Sequence, residues 1–502
     1  MTFPSFQKDF NIPPSSKTRV SAIAVGIQQA FALIGSLAIW PITNRHGRRP
    51  AMVLCSAVFC VGVVFETLRS GSVGTFYLGR VICGLGIGGS ATIIPIYLGE
   101  MSPVDMRARL GSCYQLTFTV GILVSYWVDY AVVRINPTTQ SGPEPQQSGE
   151  SWRWQVPIAL QMVPGALMGL GALTLHESVR WLLFSSANAN ANANANASPD
   201  YSRSDDKEQK AWQSLVWIRG SSEPDPIVRA EFTTIQQSIH TERGIRADFH
   251  PVELLTRKSN RRRLLLGFML FLAQQSTGAT AMAYFGPQFF GMLVGDDDSG
   301  GSDGNTTTLL LTGIFGGVKV VACAVFVIFV AERFGRRFLL VTGALVMAVC
   351  MVLTGFLVKL FPPPAPIPAP ASASEGQENG ISAAGLITTL LIYLTITAFN
   401  LSWGPLPWPC IAEIFPTRIR EPGVASGVAA QWLFNFVWSA STPYIMAGLG
   451  WATFVLFGVL DLVIAAVVWA VFVETKGLSL EEIEGLFGYD SDNDQEYTRL
   501  HS

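Results

Sequence analysis

The sequence predicts an all-α integral membrane protein built from two pseudo-repeated helical halves. Three observations predict it. Of 502 residues, 49% are hydrophobic and only 14% charged, where soluble domains carry about a quarter charged. Eleven apolar stretches approach the roughly 20 residues that a helix needs to cross a hydrocarbon core about 30 Å thick. Charged motifs on one side of these stretches occur twice. A soluble enzyme is excluded, and the formal net charge of −2 leaves no basic surplus for a nucleic-acid backbone, so nucleic acid is not an expected partner.

The stretches run from Val20 to Ile42, Ala51 to Leu68, Gly74 to Leu98, Gly111 to Val133 and Gln155 to Leu175, then from Leu264 to Leu293, Leu309 to Ala331, Phe338 to Phe361, Ala383 to Ala412, Val424 to Ala447 and Trp451 to Val473. Each is apolar on most of its circumference, as suits a helix that meets lipid and other helices but not water. The expected organisation is an N-terminal half of five spans (1–175), a cytoplasmic linker (176–263), a C-terminal half of six spans (264–473) and a cytoplasmic tail (474–502). The linker carries a low-complexity Ala/Asn tract from Ala187 to Ala197, and Ala211 to Ile218 within it suits a short surface helix. The segments Arg134 to Glu150 and Pro362 to Gly380 are rich in Pro, Gly, Ser and Gln, and no fixed structure is expected of them.

Neither cofactor nor metal nor catalytic group is expected. The seven cysteines all fall inside apolar stretches, where they read as small buried hydrophobes. The five histidines all lie outside the spans, so a membrane-embedded enzyme lacks ligands or bases at membrane depth. Gly84, Gly86 and Gly89 match a dinucleotide-binding spacing, but without a preceding strand they read as a surface for close helix packing.

Orientation follows from arginine placement, since cytoplasmic loops are enriched in Lys and Arg. One set of loops holds Arg45, Arg48, Arg49, Arg107, Arg109, Arg333, Arg336, Arg337, Arg418 and Arg420; the opposite set holds little beyond Arg134 and Arg153, and its Val294 to Thr308 loop is acidic. The first set is inside. The sequon at Asn305 then falls outside, the C-terminus inside, and the N-terminus outside, with Lys8, Lys17 and Arg19 on the side the rule disfavours.

The halves repeat. Asn44-Arg45-His46-Gly47-Arg48-Arg49 recurs as Glu332-Arg333-Phe334-Gly335-Arg336-Arg337. Glu100 to Pro103 with Arg107 and Arg109 recurs as Glu413 to Pro416 with Arg418 and Arg420, and Glu177-Ser178-Val179-Arg180 corresponds to Glu474-Thr475-Lys476-Gly477. Duplicated halves around a central site are the construction of secondary transporters. Together with Gly79-Arg80, the Pro95 to Arg109 segment with Tyr97, Gln274-Gln275 with Gly278 and Tyr284, and Gly404-Pro405-Leu406-Pro407-Trp408, these motifs resemble the sugar porters of the major facilitator superfamily, in particular fungal sugar and quinate permeases. The resemblance covers nearly the whole chain. It implies twelve spans, and since Met1 to Phe10 resembles the outer loop after the family's first helix, that helix is expected to be missing and transport by the chain as written to be poor.

The resemblance further implies alternating access to a central site for a sugar, a polyol or a quinate-like acid, with proton symport or facilitated diffusion and the plasma membrane as family defaults. Carried over one by one, the substrate-binding residues are Gln115, Gln274, Gln275, Thr280, Tyr284, Trp408, Gln431 and Asn435. Amides serve hydroxyls as donors and acceptors, and an indole face suits the C–H side of a ring. Thr280, Ala283 and Val320 stand where family members carry polar residues, which argues against an ordinary hexose. A cytoplasmic gate is expected from Arg48, Arg80, Glu100, Arg109, Glu177, Arg180, Arg336, Glu413, Arg420 and Glu474, pairing across the halves. Individually weak pairs of this kind bias a switch only as a network. Glu66, Asp129, Asp461 and Lys319 are ionisable groups at or within spans; a buried acid there can titrate during transport, while snorkelling or helix pairing is the favoured reading for Glu66 and Asp129 and a carbonyl or acid partner is the alternative for Lys319. The rival readings are a non-transporting nutrient sensor, disfavoured by the short tail after Val473, and an inactive truncated carrier.

Overall fold

The computed structural model describes residues 4–103, 106–135, 151–186, 201–220, 225–246, 256, 258–294, 302–331, 333–362, 383–415, 420–472 and 474. Every regular element among them is a helix. After α1 (Pro4–Asp9), the first half contains α2 (Lys17–His46), α3 (Arg48–Thr67), α4 (Val73–Met101), α5 (Arg107–Ile135), α6 (Trp152–Leu160) and α7 (Met162–Thr174). A short helix α8 (179–186) leads to α9 (Tyr201–Arg219) and α10 (Pro226–Arg246). The second half contains α11 (Lys258–Ser276), α12 (Ala279–Tyr284), α13 (Gly286–Val294), α14 (Ser302–Val325) with a π-turn at Phe326–Val330, α15 (Arg336–Leu360), α16 (Ala383–Asn400), α17 (Pro407–Ile414), α18 (Arg420–Leu449) and α19 (Ala452–Val471).

Eight described helices are long and apolar enough to cross a membrane. Of the other three predicted stretches, Gly111 to Val133 and Val424 to Ala447 are helical throughout, and Leu264 to Leu293 is helical apart from breaks at Thr277-Gly278 and Phe285. They carry seven of the eight substrate-binding residues expected above, all but Trp408. Most of the described residues of the polar linker are helical, and Ala211 to Ile218 lies within α9. The Ala/Asn tract, and all but the ends of the two Pro/Gly-rich segments, lie outside the described residues.

Small residues set the packing inside each half. A Cβ at Gly84 would stand 2.5 Å from the Gln28 carbonyl oxygen of α2, and one at Gly86 would stand 2.7 Å from the Cys55 carbonyl oxygen of α3. The glycines of α4 therefore let two neighbouring backbones close on it, the packing role read from the sequence. In the second half, Gly355 of α15 and Gly458 of α19 do the same, with Cβ positions 2.6 Å from Val455 and 2.7 Å from Val352. The halves meet along two seams, α2 against α18 and α5 against α14. At the second, a Cβ on Gly316 would lie 3.1 Å from the Leu123 Cα.

At the end that carries the repeated arginines, expected to face inward, α8, α9 and α10 dock through Val179, Leu182, Leu215, Val228 and Phe232 onto Tyr97, Met101 and the ends of α2 and α3. At the opposite end, Phe6 and Phe10 of the N-terminal segment pack with Phe76 and Trp154. Asp9 fixes this lid by accepting a hydrogen bond from Trp154 Nε1 at 2.8 Å and pairing with Arg69 at 3.2 Å. The surface between the two ends is apolar, with Leu167, Val321 and Trp469 more than 60% exposed, as a lipid-facing belt requires.

Candidate substrate site and inner-face network

The inner network explains why each repeated motif contains a glycine. Helix α3 opens at Arg48 with its first N–H groups free of intrahelical partners, and the Glu177 carboxylate fills that role, accepting from Arg48 N at 2.9 Å and Arg49 N at 3.1 Å. In the second half Glu474 does the same for α15, accepting from Arg336 N at 2.9 Å and Arg337 N at 3.0 Å. A carboxylate at a helix N-terminus is stabilised by both the free N–H groups and the helix dipole. The carboxylates occupy the space where a side chain on Gly47 or Gly335 would go; at Gly335 the Cβ would stand 2.5 Å from Glu474 Oε2. Burial pushes the Glu177 carboxyl above the usual carboxylate range, opposed by the N–H groups of Ser178, Arg48 and Arg49.

Arg48 is buried and binds Glu100 in a bidentate pair, Nη2 to Oε1 at 2.7 Å and Nε to Oε2 at 3.0 Å, while Ser178 Oγ donates to the same carboxylate. Tyr97 donates to the His176 carbonyl at 2.7 Å. These described contacts lie inside one half. In these contacts the motif charges serve as helix caps and staples for the ends of their own half. Arg80 departs from expectation in position. It lies two turns into α4, at the end opposite Glu100, where it donates to Gln28 Oε1 at 2.5 Å and stands 3.5 Å from the fully buried Glu66. It is therefore no part of the inner face. Arg109 and Arg180 are described and have partners; the Glu413 and Arg420 side chains lie outside the described residues.

The central site is built where helices break. Gly278 adopts φ 77°, in the left-handed region, and a Cβ there would meet the Phe457 ring at 2.7 Å; glycine alone suits both demands. This break ends α11 just after Gln274 and Gln275. A second break, between α16 and α17 around Gly404, Pro405 and Pro407, frees backbone carbonyls at the same depth. Gln274 Nε2 serves them, donating to the Trp403 carbonyl at 2.9 Å and the Gly404 carbonyl at 3.2 Å. Its amide is thus engaged in joining the two breaks.

The remaining polar groups are differently placed. Gln275 Oε1, Trp408 Nε1, Gln431 Oε1 and Asn435 Oδ1 are buried without a hydrogen-bond partner. The Trp408 ring of the second half meets Tyr114 of the first half edge-on, with centroids 4.9 Å apart, and Phe271 at 5.5 Å. Tyr284 accepts a hydrogen bond from Gln29 Nε2 of the first half at 2.9 Å, and the Asn435 side chain faces the same hydroxyl. Gln115 is buried on α5 beside Tyr114, and Thr280 is half-buried just past the break. Gln29 and Tyr114 are additions to the expected set. The signal for Gln29 was present, since Gln28-Gln29 inside an apolar span is the same kind of pair as Gln274-Gln275.

A family profile described as "Sugar (and other) transporter" matches residues 1–197 and 194–487. The chain is 31% identical over 494 residues to a quinate permease of Emericella nidulans, covering 97% of this chain and 84% of that one. It is 30% identical over 493 residues to a probable quinate permease of Aspergillus clavatus, covering 96% and 82%. The chain is a sugar porter of the major facilitator superfamily. Among solved structures, the proton:xylose symporter XylE bound to 6-bromo-6-deoxy-D-glucose superposes with a TM-score of 0.72 at 24% identity, over 96% of this chain and 93% of that one. This sugar porter is accordingly a multi-pass membrane protein of sugar-type transport and not an enzyme.

Proposed function

We propose that this sugar porter moves a ring-shaped polyhydroxylated molecule, a sugar, a polyol or a quinate-like acid, by alternating access, with the substrate held between the halves. The observation that carries this reading is the set of buried, unpaired polar atoms on Gln275, Trp408, Gln431 and Asn435. A buried group left unpaired costs about 1–3 kcal/mol, so four on facing helices describe a surface completed by a ligand rich in hydroxyls. Gln115, Thr280, Tyr284, Gln29 and Tyr114 complete the wall, and Gln274 supports it from behind. The names of the relatives favour the same substrate classes, and the symporter among the structural neighbours favours protons as the coupling ion. The plasma membrane is the proposed location, with the charged inner face as the cytoplasmic gate.

The test is calorimetric titration of the purified chain with quinate, D-xylose and myo-inositol, followed by uptake into proteoliposomes with and without an imposed pH gradient. At least one ligand binds saturably, and Gln431→Ala or Trp408→Leu weakens it more than tenfold. Saturable binding of none of the three overturns the reading.

A further inference from the structure

Lys319 lies in the middle of α14 and is 3% exposed. Its ammonium stands 5.8 Å from the centroid of the Phe315 ring on the same helix, and no carboxylate among the described residues comes within ion-pair distance of it. An ammonium at membrane depth is costly unless it has a partner or reaches water, and a ring face one turn away compensates weakly. Snorkelling to the lipid headgroups is closed to this side chain. The lipid face of α14 is marked by Ile314, Val321 and Val325, which are 41%, 65% and 38% exposed. At 100° per residue Lys319, with Thr312, Gly316 and Cys323, lies on the opposite side.

That side looks across the seam to α5. Gly316 closes on Leu123 and Tyr126, and Thr119 faces Cys323, so Lys319 falls between these two crossings. Gln115 lies one helical turn beyond Thr119 on the same face of α5, so Lys319 stands on the seam about two turns from the first half's contribution to the site. The substrate-facing amides and indole are neutral. Lys319 adds the one property they lack, a fixed positive charge.

We propose that Lys319 is the anion-recognition residue of the central site, and that the substrate class is a ring-shaped polyhydroxy monocarboxylate whose carboxylate pairs with this ammonium while the amides take its hydroxyls. The proposal rests on the transporter reading above and narrows it. A neutral sugar leaves the ammonium as it stands; a carboxylate supplies the charge-assisted hydrogen bonds that the surrounding residues do not. Because Lys319 sits where the halves meet, the pair also ties substrate binding to the seam.

The test titrates the purified full-length chain with three probes: quinate, its neutral methyl ester, and myo-inositol. The expected result for the wild type is tighter binding of quinate than of the ester by about tenfold or more. Lys319→Met removes that preference and leaves the ester within about twofold of wild type, while Lys319→Arg retains most of it. Equal wild-type affinity for acid and ester overturns the proposal, as does a preference that survives Lys319→Met. Should Lys319→Met fail to fold, Lys319→Gln takes its place, with the same loss of preference expected and a surviving preference overturning the proposal. Saturable binding of the ester or inositol without quinate overturns this inference and leaves the transporter reading standing; binding of none of the three overturns both.

Discussion

Two glycines that occupy equivalent places in the repeat have different conformations, which separates two costs usually met together. Gly335 has φ −67°, open to any residue, whereas Gly47 has φ 100°. Gly335→Ala therefore tests only displacement of the Glu474 carboxylate from its cap, with an expected loss of about 1–2 kcal/mol. Gly47→Ala adds backbone strain of about 1–2 kcal/mol, so it should lower the unfolding temperature in detergent further than Gly335→Ala does. Equal losses would remove the strain argument. Asp461 shows the opposite sign. It is fully buried on α19, and both its carboxylate oxygens lack a hydrogen-bond partner. Asp461→Leu relieves an unpaired polar group in an apolar cluster and should raise thermal stability by about 1–3 kcal/mol, read by the same thermal melt; a fall would show that the acid is held by something the described residues do not include.

At the scale of elements, the breaks near Gly278 and Gly404 distinguish residues that build the site from residues that use it. Gln274 donates to two carbonyls freed by the second break. Gln274→Leu should thus lose stability, by about 2–3 kcal/mol, and ligand affinity together. Gln275, whose side-chain oxygen is unpaired, should lose affinity on Gln275→Leu with its melting temperature nearly unchanged. Titration and thermal unfolding of the two variants check this, and a pair of variants that behave alike would remove the division of roles. Adjacent in sequence and identical in type, these glutamines could not be told apart from the sequence. Their roles depend on which one points at a backbone opened some 130 residues later. The apolar helices were legible, because lipid imposes a composition on each stretch separately. The gate pairing was not legible for a related reason: charge at a span end shows which side it faces, but not whether its partner lies in the other half or is the next helix's own N–H groups.

For the whole molecule, the described contacts divide into those that make each half rigid and those that hold the halves together. The Arg48–Glu100 pair and the Glu177 and Glu474 caps belong to the first class. Gln29 to Tyr284, at 2.9 Å, and Tyr126 to the Ala283 carbonyl belong to the second, crossing between halves on the side away from the inner arginines. Alternation needs the second class to open while the first stays intact. Each crossing hydrogen bond is worth about 1 kcal/mol, so the double variant Gln29→Leu with Tyr126→Phe should favour opening of the outer seam by about 2 kcal/mol, roughly a thirtyfold change in population. Spin labels on Leu68 and Leu360, in a background freed of the native cysteines, would report it as growth of a longer-distance component. Arg48→Gln is the contrast: it should lower thermal stability and leave that distance distribution unchanged, because it loosens one half without unlocking the seam. If Arg48→Gln lengthened the distance and the seam variant did not, the inner cluster rather than the outer crossings would hold the halves together.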